Sequence, residues 1–136
     1  MRPLALDTNA YAGFKRGQAA CVELVQRAES LLISSTVIGE LLAGFACGSR
    51  EAVNREELSQ FLASPRVEHC PCSLATADAY ALIYRDLRRK GRPIPTNDIW
   101  IAASALERGA ALFSFDDHFQ QIDGLRVVQS WPETLP

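Results

Sequence analysis

Apolar residues in this chain fall into two patterns: short continuous runs, and longer stretches with a single apolar face. The runs cover residues 3–6, 31–34, 111–115 and 125–128, and Val67–Cys70, between Pro65 and Pro71, is a further short candidate strand. Runs of that length, bounded by polar or turn-forming residues, suit strands buried in a parallel sheet. The stretches between them follow helical spacing. Residues 8–15 form a short helix stopped near Gly17, and residues 18–28 place Ala20, Cys21, Leu24, Val25 and Ala28 on one stripe. Ser35 or Thr36 caps a helix that carries Val37, Ile38, Leu41, Leu42 and Phe45 and stops at Gly48. Residues 51–62 make a charged helix with Leu58, Phe61 and Leu62 facing inward. Ser73 caps a long helix with Leu74, Ala77, Ala81, Tyr84 and Arg88 on its inner face, ended by Gly91 and Pro93. Thr96 or Asn97 caps a helix over residues 98–107 that is apolar almost all round and therefore buried. Strands alternating with helices predict an α/β fold, a parallel sheet with helices on both faces. No repeat, linker or low-complexity block interrupts residues 1–136, so a single domain is expected.

That architecture gives the acidic residues a shared address. In open parallel sheets, ligands bind beyond the carboxyl ends of the strands. Asp7 directly follows the first strand and Asp116 the 111–115 strand, while Glu40 and Asp98 lie near the starts of helices that begin at the same edge. Taken singly, three of these acids have a structural explanation. Asp7 suits a turn or cap, Asp98 is favoured by a helix dipole, and Asp116 beside Asp117 suits a turn. Glu40 has none, because with Thr36 as N-cap the capping-box position is Gly39. Four carboxylates brought together repel, and protons or a cation must relieve them. A hard, oxygen-binding divalent ion, Mg²⁺ or Mn²⁺, is the expected partner. Such a site suits phosphodiester hydrolysis by metal-activated water.

Composition narrows the class further. Of 136 residues, 48% are hydrophobic and 22% charged, values of a globular chain with enough core to fold without staples. No apolar run reaches membrane-spanning length, and the N-terminus lacks a signal-peptide core, so a cytoplasmic protein is expected. Cys21, Cys47, Cys70 and Cys72 are then expected to be reduced. His69-Cys70-Pro71-Cys72 offers a C-x-C pair without a second ligand pair, which is not structural-zinc spacing.

The net charge of −2 gives no global attraction to nucleic acid. Locally, Arg85, Arg88, Arg89, Lys90 and Arg92 crowd beside a single acid. This run reads either as a clamp for RNA phosphates next to the acidic site or as a solvated helix end whose cations complement the dipole. Trp100 and Phe119 sit among apolar neighbours and are expected in the core rather than as base-stacking platforms.

Four blocks carry a resemblance to known proteins. They are Leu6-Asp7-Thr8-Asn9, Ser35-Thr36-Val37-Ile38-Gly39-Glu40-Leu41, Thr96-Asn97-Asp98-Ile99-Trp100-Ile101-Ala102-Ala103 and Leu112-Phe113-Ser114-Phe115-Asp116-Asp117-His118-Phe119. In this order and spacing, over nearly the whole chain, they resemble the PIN-domain family and, within it, the VapC-like toxins of bacterial toxin–antitoxin pairs. The resemblance implies a three-layer α/β/α sandwich with a mostly parallel sheet of about five strands. It implies a metal-dependent endoribonuclease in which Asp7, Glu40, Asp98 and Asp116 are the catalytic, metal-holding acids. Register with Phe119 favours Asp116 over Asp117 for the fourth place. Thr8 or Asn9, together with Ser114, fall on polar positions that orient such acids; Ser114 stands where the family more often has threonine. The resemblance further implies an RNA substrate, a small antitoxin covering the site, and a homodimer. Tyr11 and Phe14 either pack in the core or contact that antitoxin.

Two competing readings are weaker. A phosphatase of the haloacid-dehalogenase type wants a second acid two residues after its nucleophile, where Asn9 stands. A non-catalytic RNA- or protein-binding module is disfavoured by the presence of all four acids.

Overall fold

Five short segments supply a sheet, and one of them, Val67–Cys70, carries the exposed Glu68 and His69. In the computed structural model, which describes residues 3–131, they are β1 (Leu4–Leu6), β2 (Leu31–Ser34), β3 (Val67–Cys70), β4 (Ala111–Phe113) and β5 (Val127–Val128). Residues 1–2 and 132–136, the ends of the expected domain, lie outside the described residues. The strands run in the order β3-β2-β1-β4-β5, and every pairing is parallel. The connections are α1 (Thr8–Lys15), α2 (Ala19–Arg27), α3 (Ser35–Ala46), α4 (Glu51–Leu62), α5 (Leu74–Lys90) and α6 (Thr96–Glu107), with a 3₁₀ turn at Asp117–Gln121.

Strand side chains alternate between two apolar layers, as a period of two requires. Leu4, Leu6, Leu31, Ala111 and Phe113 pack with Ala10, Cys21, Leu24 and Val25 of α1 and α2. Ala5, Leu32 and Leu112 pack on the other side with Val37 and Leu41 of α3, Leu58 of α4, Ile83 and Leu87 of α5, and the small residues of α6. The expected three-layer α/β/α sandwich is therefore present. Among the described residues, no helix is long and apolar enough to cross a membrane.

Several local expectations change. The inner face of α5 is not Leu74, Ala77, Ala81, Tyr84 and Arg88. Thr76, Ile83 and Leu87 are buried instead, while Leu74 is 86% and Tyr84 45% exposed. Two helical stripes compete in this segment, and packing against α6 selects the one whose Thr76 reaches Glu107 at the end of that helix. The cap of α3 is Ser34 rather than Ser35 or Thr36, its Oγ accepting from Val37 N at 3.2 Å. At α6, Pro95 takes the N-cap position with no side-chain cap, so Thr96 and Asn97 are already helical. β4 ends at Phe113 because side chains replace the ladder beyond it: Phe115 N donates to Asn9 Oδ1 and Asp116 N to Ser114 Oγ.

The end of α5 follows its sequence signal. Gly91 has φ +68°, a left-handed conformation that costs glycine least, and Arg92 N closes the turn on Leu87 O at 3.0 Å. Trp100 is half-buried and stacks on Tyr80 at a centroid distance of 4.2 Å, and Phe119 is fully buried. Tyr11 is buried against Phe61, with Phe14 partly buried beside them.

Candidate metal centre

Because β1 and β4 are neighbours and both run toward the same edge, the residues that follow them meet. Asp7, Thr8, Asn9, Ala12, Glu40, Asp98 and Asp116 line one open cleft of about 310 Å³. All four sequence-predicted acids are there, contributed by the segments that follow β1 and β4, the second turn of α3 and the first turn of α6. No lysine or arginine lines this cleft.

Asp7 is the buried member, 5% exposed. It occupies the N-cap position of α1 but makes no side-chain cap bond, so capping does not explain it. Its carboxylate instead accepts from Ser114 Oγ at 2.7 Å. Burial pushes its pKa up to about 6, with the nearby Asp98 and Glu40 charges adding to the rise and the Ser114 bond opposing it. Glu40 lies beyond the capping positions of α3 and is held by two other elements: Thr8 Oγ1 donates to Oε1 at 2.5 Å and Asn97 Nδ2 to Oε2 at 3.5 Å. Asp98 is half-buried; burial raises its pKa, the His118 contact opposes the rise, and Asp116 and Glu40 reinforce it.

Asp116 does perform the turn chemistry expected of it. Its Oδ1 accepts from His118 N at 2.9 Å and starts the 3₁₀ turn. The same oxygen nevertheless lies 3.2 Å from His118 Nδ1, and Asp98 Oδ2 lies 2.7 Å from that nitrogen. Asp117 is exposed and does not line the cleft.

The supporting residues divide their work. Ser114 fixes Asp7, Thr8 fixes Glu40, and Asn9 anchors the backbone at Phe115 that leads into Asp116. Two residues that the sequence reading passed over touch the acids. They are Asn97, through Glu40, and His118, whose Nδ1 forms with oxygens of Asp98 and Asp116 a group of donor atoms all within 4.8 Å of one another. His118 stands two residues after Asp116 in the quoted motif, and that spacing was the available signal. Among the described residues this is the one metal-competent group so compact, and the cysteines do not enter it. Oxygen donors crowded in a cleft that no lysine or arginine lines fit a divalent ion.

The basic run is only partly available. Lys90 pairs with Asp123 at 2.7 Å and Arg85 with Asp86 at 3.2 Å. Arg88, Arg89 and Arg92 are exposed. α5 and α6 form an antiparallel hairpin, since Ser73 before α5 reaches Glu107 at the far end of α6 while Arg88 and Ile99 line one cavity. The basic end of α5 is thereby at the Asp98 end of α6.

The fold and this edge define a class. The family model described as "PIN domain" matches residues 4–125, and the chain belongs to the PIN-domain family. Within it, the chain is 29% identical over 96 residues to "Ribonuclease VapC4" of Mycobacterium tuberculosis, covering 71% of this chain and 74% of that protein. It is 29% identical to "Ribonuclease VapC2" of Rickettsia felis, with 81% of each chain covered. Among solved structures it is similar to DNA-bound VapBC from Salmonella typhimurium, with a TM-score of 0.82, 26% identity, and 94% of this chain and 98% of that chain covered.

Proposed function

We propose that this chain is a divalent-metal-dependent endoribonuclease, the toxin of a toxin–antitoxin pair, acting in the cytoplasm as a single nuclease domain. The observation that carries the reading is the convergence of Asp7, Glu40, Asp98 and Asp116 on one cleft, with Ser114 and Thr8 holding two of them. The ribonuclease names of the relatives and the VapBC assembly of the structural neighbour agree with it.

Asp7, Glu40, Asp98 and Asp116 would hold Mg²⁺ or Mn²⁺, directly or through water. The bound cation supplies charge neutralisation at the scissile phosphate and activation of the attacking water. The chain's own residues do the rest. Ser114 keeps Asp7 in one orientation, and Thr8 and Asn97 do the same for Glu40, so the carboxylates are arranged before RNA arrives. Acids alone would repel the RNA backbone. Arg88, Arg89 and Arg92, at the same end of the α5–α6 hairpin, would receive flanking phosphates. An antitoxin would silence the site by covering it, and the active form would be a homodimer, as the family resemblance implies.

The test is cleavage of defined RNAs, tRNA and ribosomal fragments among them, by metal-loaded protein with and without EDTA. Wild type should cut and EDTA should abolish cutting. Cleavage that persists unchanged in EDTA would contradict the proposal.

A further inference from the structure

Among the described residues, His118 supplies the one nitrogen donor of the compact Asp98–Asp116–His118 group, and its position is fixed by the chain. Its backbone N–H is bound to Asp116 Oδ1, which sets the imidazole over that carboxylate. Nδ1 then lies 3.2 Å from Asp116 Oδ1 and 2.7 Å from Asp98 Oδ2. Neighbouring ligands of a six-coordinate ion with bonds of about 2.1 Å stand about 3 Å apart, so Nδ1 has the spacing of an adjacent ligand from each carboxylate oxygen, and all three atoms lie within 4.8 Å of one another. The ring is half-exposed, with room to turn slightly without disturbing the core.

Resting on the metal-centre reading above, we propose that His118 is itself a ligand, completing with Asp98 and Asp116 a nitrogen-bearing site that prefers Mn²⁺ to Mg²⁺. Carboxylates serve both ions, whereas imidazole serves transition metals far better than the harder Mg²⁺. An all-carboxylate centre would lack that discrimination. A histidine that merely orients Asp98 by hydrogen bonding would support either ion equally.

His118→Asn separates these roles. The Asn side-chain amide can still donate toward Asp98 and Asp116, and it is a poor nitrogen ligand. Two measurements on the full chain decide the matter: calorimetric affinities for Mn²⁺ and for Mg²⁺, and pulsed EPR of bound Mn²⁺ for coupling to a directly ligated ¹⁴N. Wild type should bind Mn²⁺ more tightly and show the ¹⁴N coupling. The Asn variant should lose the coupling and at least about tenfold in Mn²⁺ affinity, with Mg²⁺ affinity nearly unchanged. Mn²⁺ bound in the wild type without ¹⁴N coupling, or equal loss for both ions in the variant, would overturn the assignment of His118 while leaving the metal centre standing. Failure of wild type to bind either ion would overturn both.

Discussion

At the scale of single residues, Asp7 is the acid whose burial makes stability depend on pH. A carboxyl whose folded pKa is raised to about 6 from 3.8 favours the fold while protonated. Below pH 4 it is protonated in both states and costs nothing. Between pH 4 and 6 the folded protein retains a proton that the unfolded chain releases, and metal-free stability falls as pH rises. Above pH 6 the full penalty of burying the charge is present. Asp7→Asn should therefore abolish RNA cleavage and, in EDTA, stabilise the protein at pH 7.5 by on the order of 1–3 kcal/mol while changing little at pH 3.5. Denaturant titrations at the two pH values check this, and a variant destabilised at pH 7.5 would contradict it. Asp7, Asp98 and Asp116 were legible as candidates because each follows a strand or opens a helix at the carboxyl edge. Glu40 stood out because nothing local required it. The partners of these acids were less legible. The Thr8–Glu40 and His118–Asp98 contacts link residues 32 and 20 positions apart. Only the packing of α1 on α3, and of the 3₁₀ turn on α6, creates them.

At the scale of elements, α5 carries the main correction. Its apolar residues fit two stripes, and the sequence reading chose the one that faces water. Periodicity alone does not rank two stripes when small alanines populate both, and contact with α6 decides. Ile83→Ala should thus cost about 2–4 kcal/mol of folding stability, whereas Leu74→Ala should lie within about 0.5 kcal/mol of wild type. Thermal or urea unfolding measures both, and the reverse order would restore the original face. The cap of α3 moved for a related reason. Ser34 closes β2 and opens α3 at once, a double role invisible when strand and helix are read separately. Ser34→Ala should cost about 1 kcal/mol, read by the same unfolding curves.

At the scale of the whole molecule, the parallel sheet was legible from its apolar runs, and its layers follow from their alternation. The strand order places β1 between β2 and β4, which brings Asp7 beside Asp116 and beside the α3 that follows β2, and α6 opens at the same edge with Asp98. The molecule also segregates charge, with acids at the sheet edge and exposed arginines at the near end of the α5–α6 hairpin. Replacing Arg88 and Arg89 with glutamine should weaken RNA binding and reduce the slope of log affinity against log salt by about 1–2, because two phosphate contacts are lost. An unchanged slope would leave those arginines as solvated surface.

The proposed chemistry requires a divalent ion where Asp7, Glu40, Asp98 and Asp116 converge. Crystals soaked in Mn²⁺ and measured for anomalous scattering address it directly. The expected result is a strong anomalous peak in the cleft, within coordinating reach of these carboxylates and absent from the Asp7→Asn protein. A map with no peak there, or with manganese bound only at other surfaces, would contradict it.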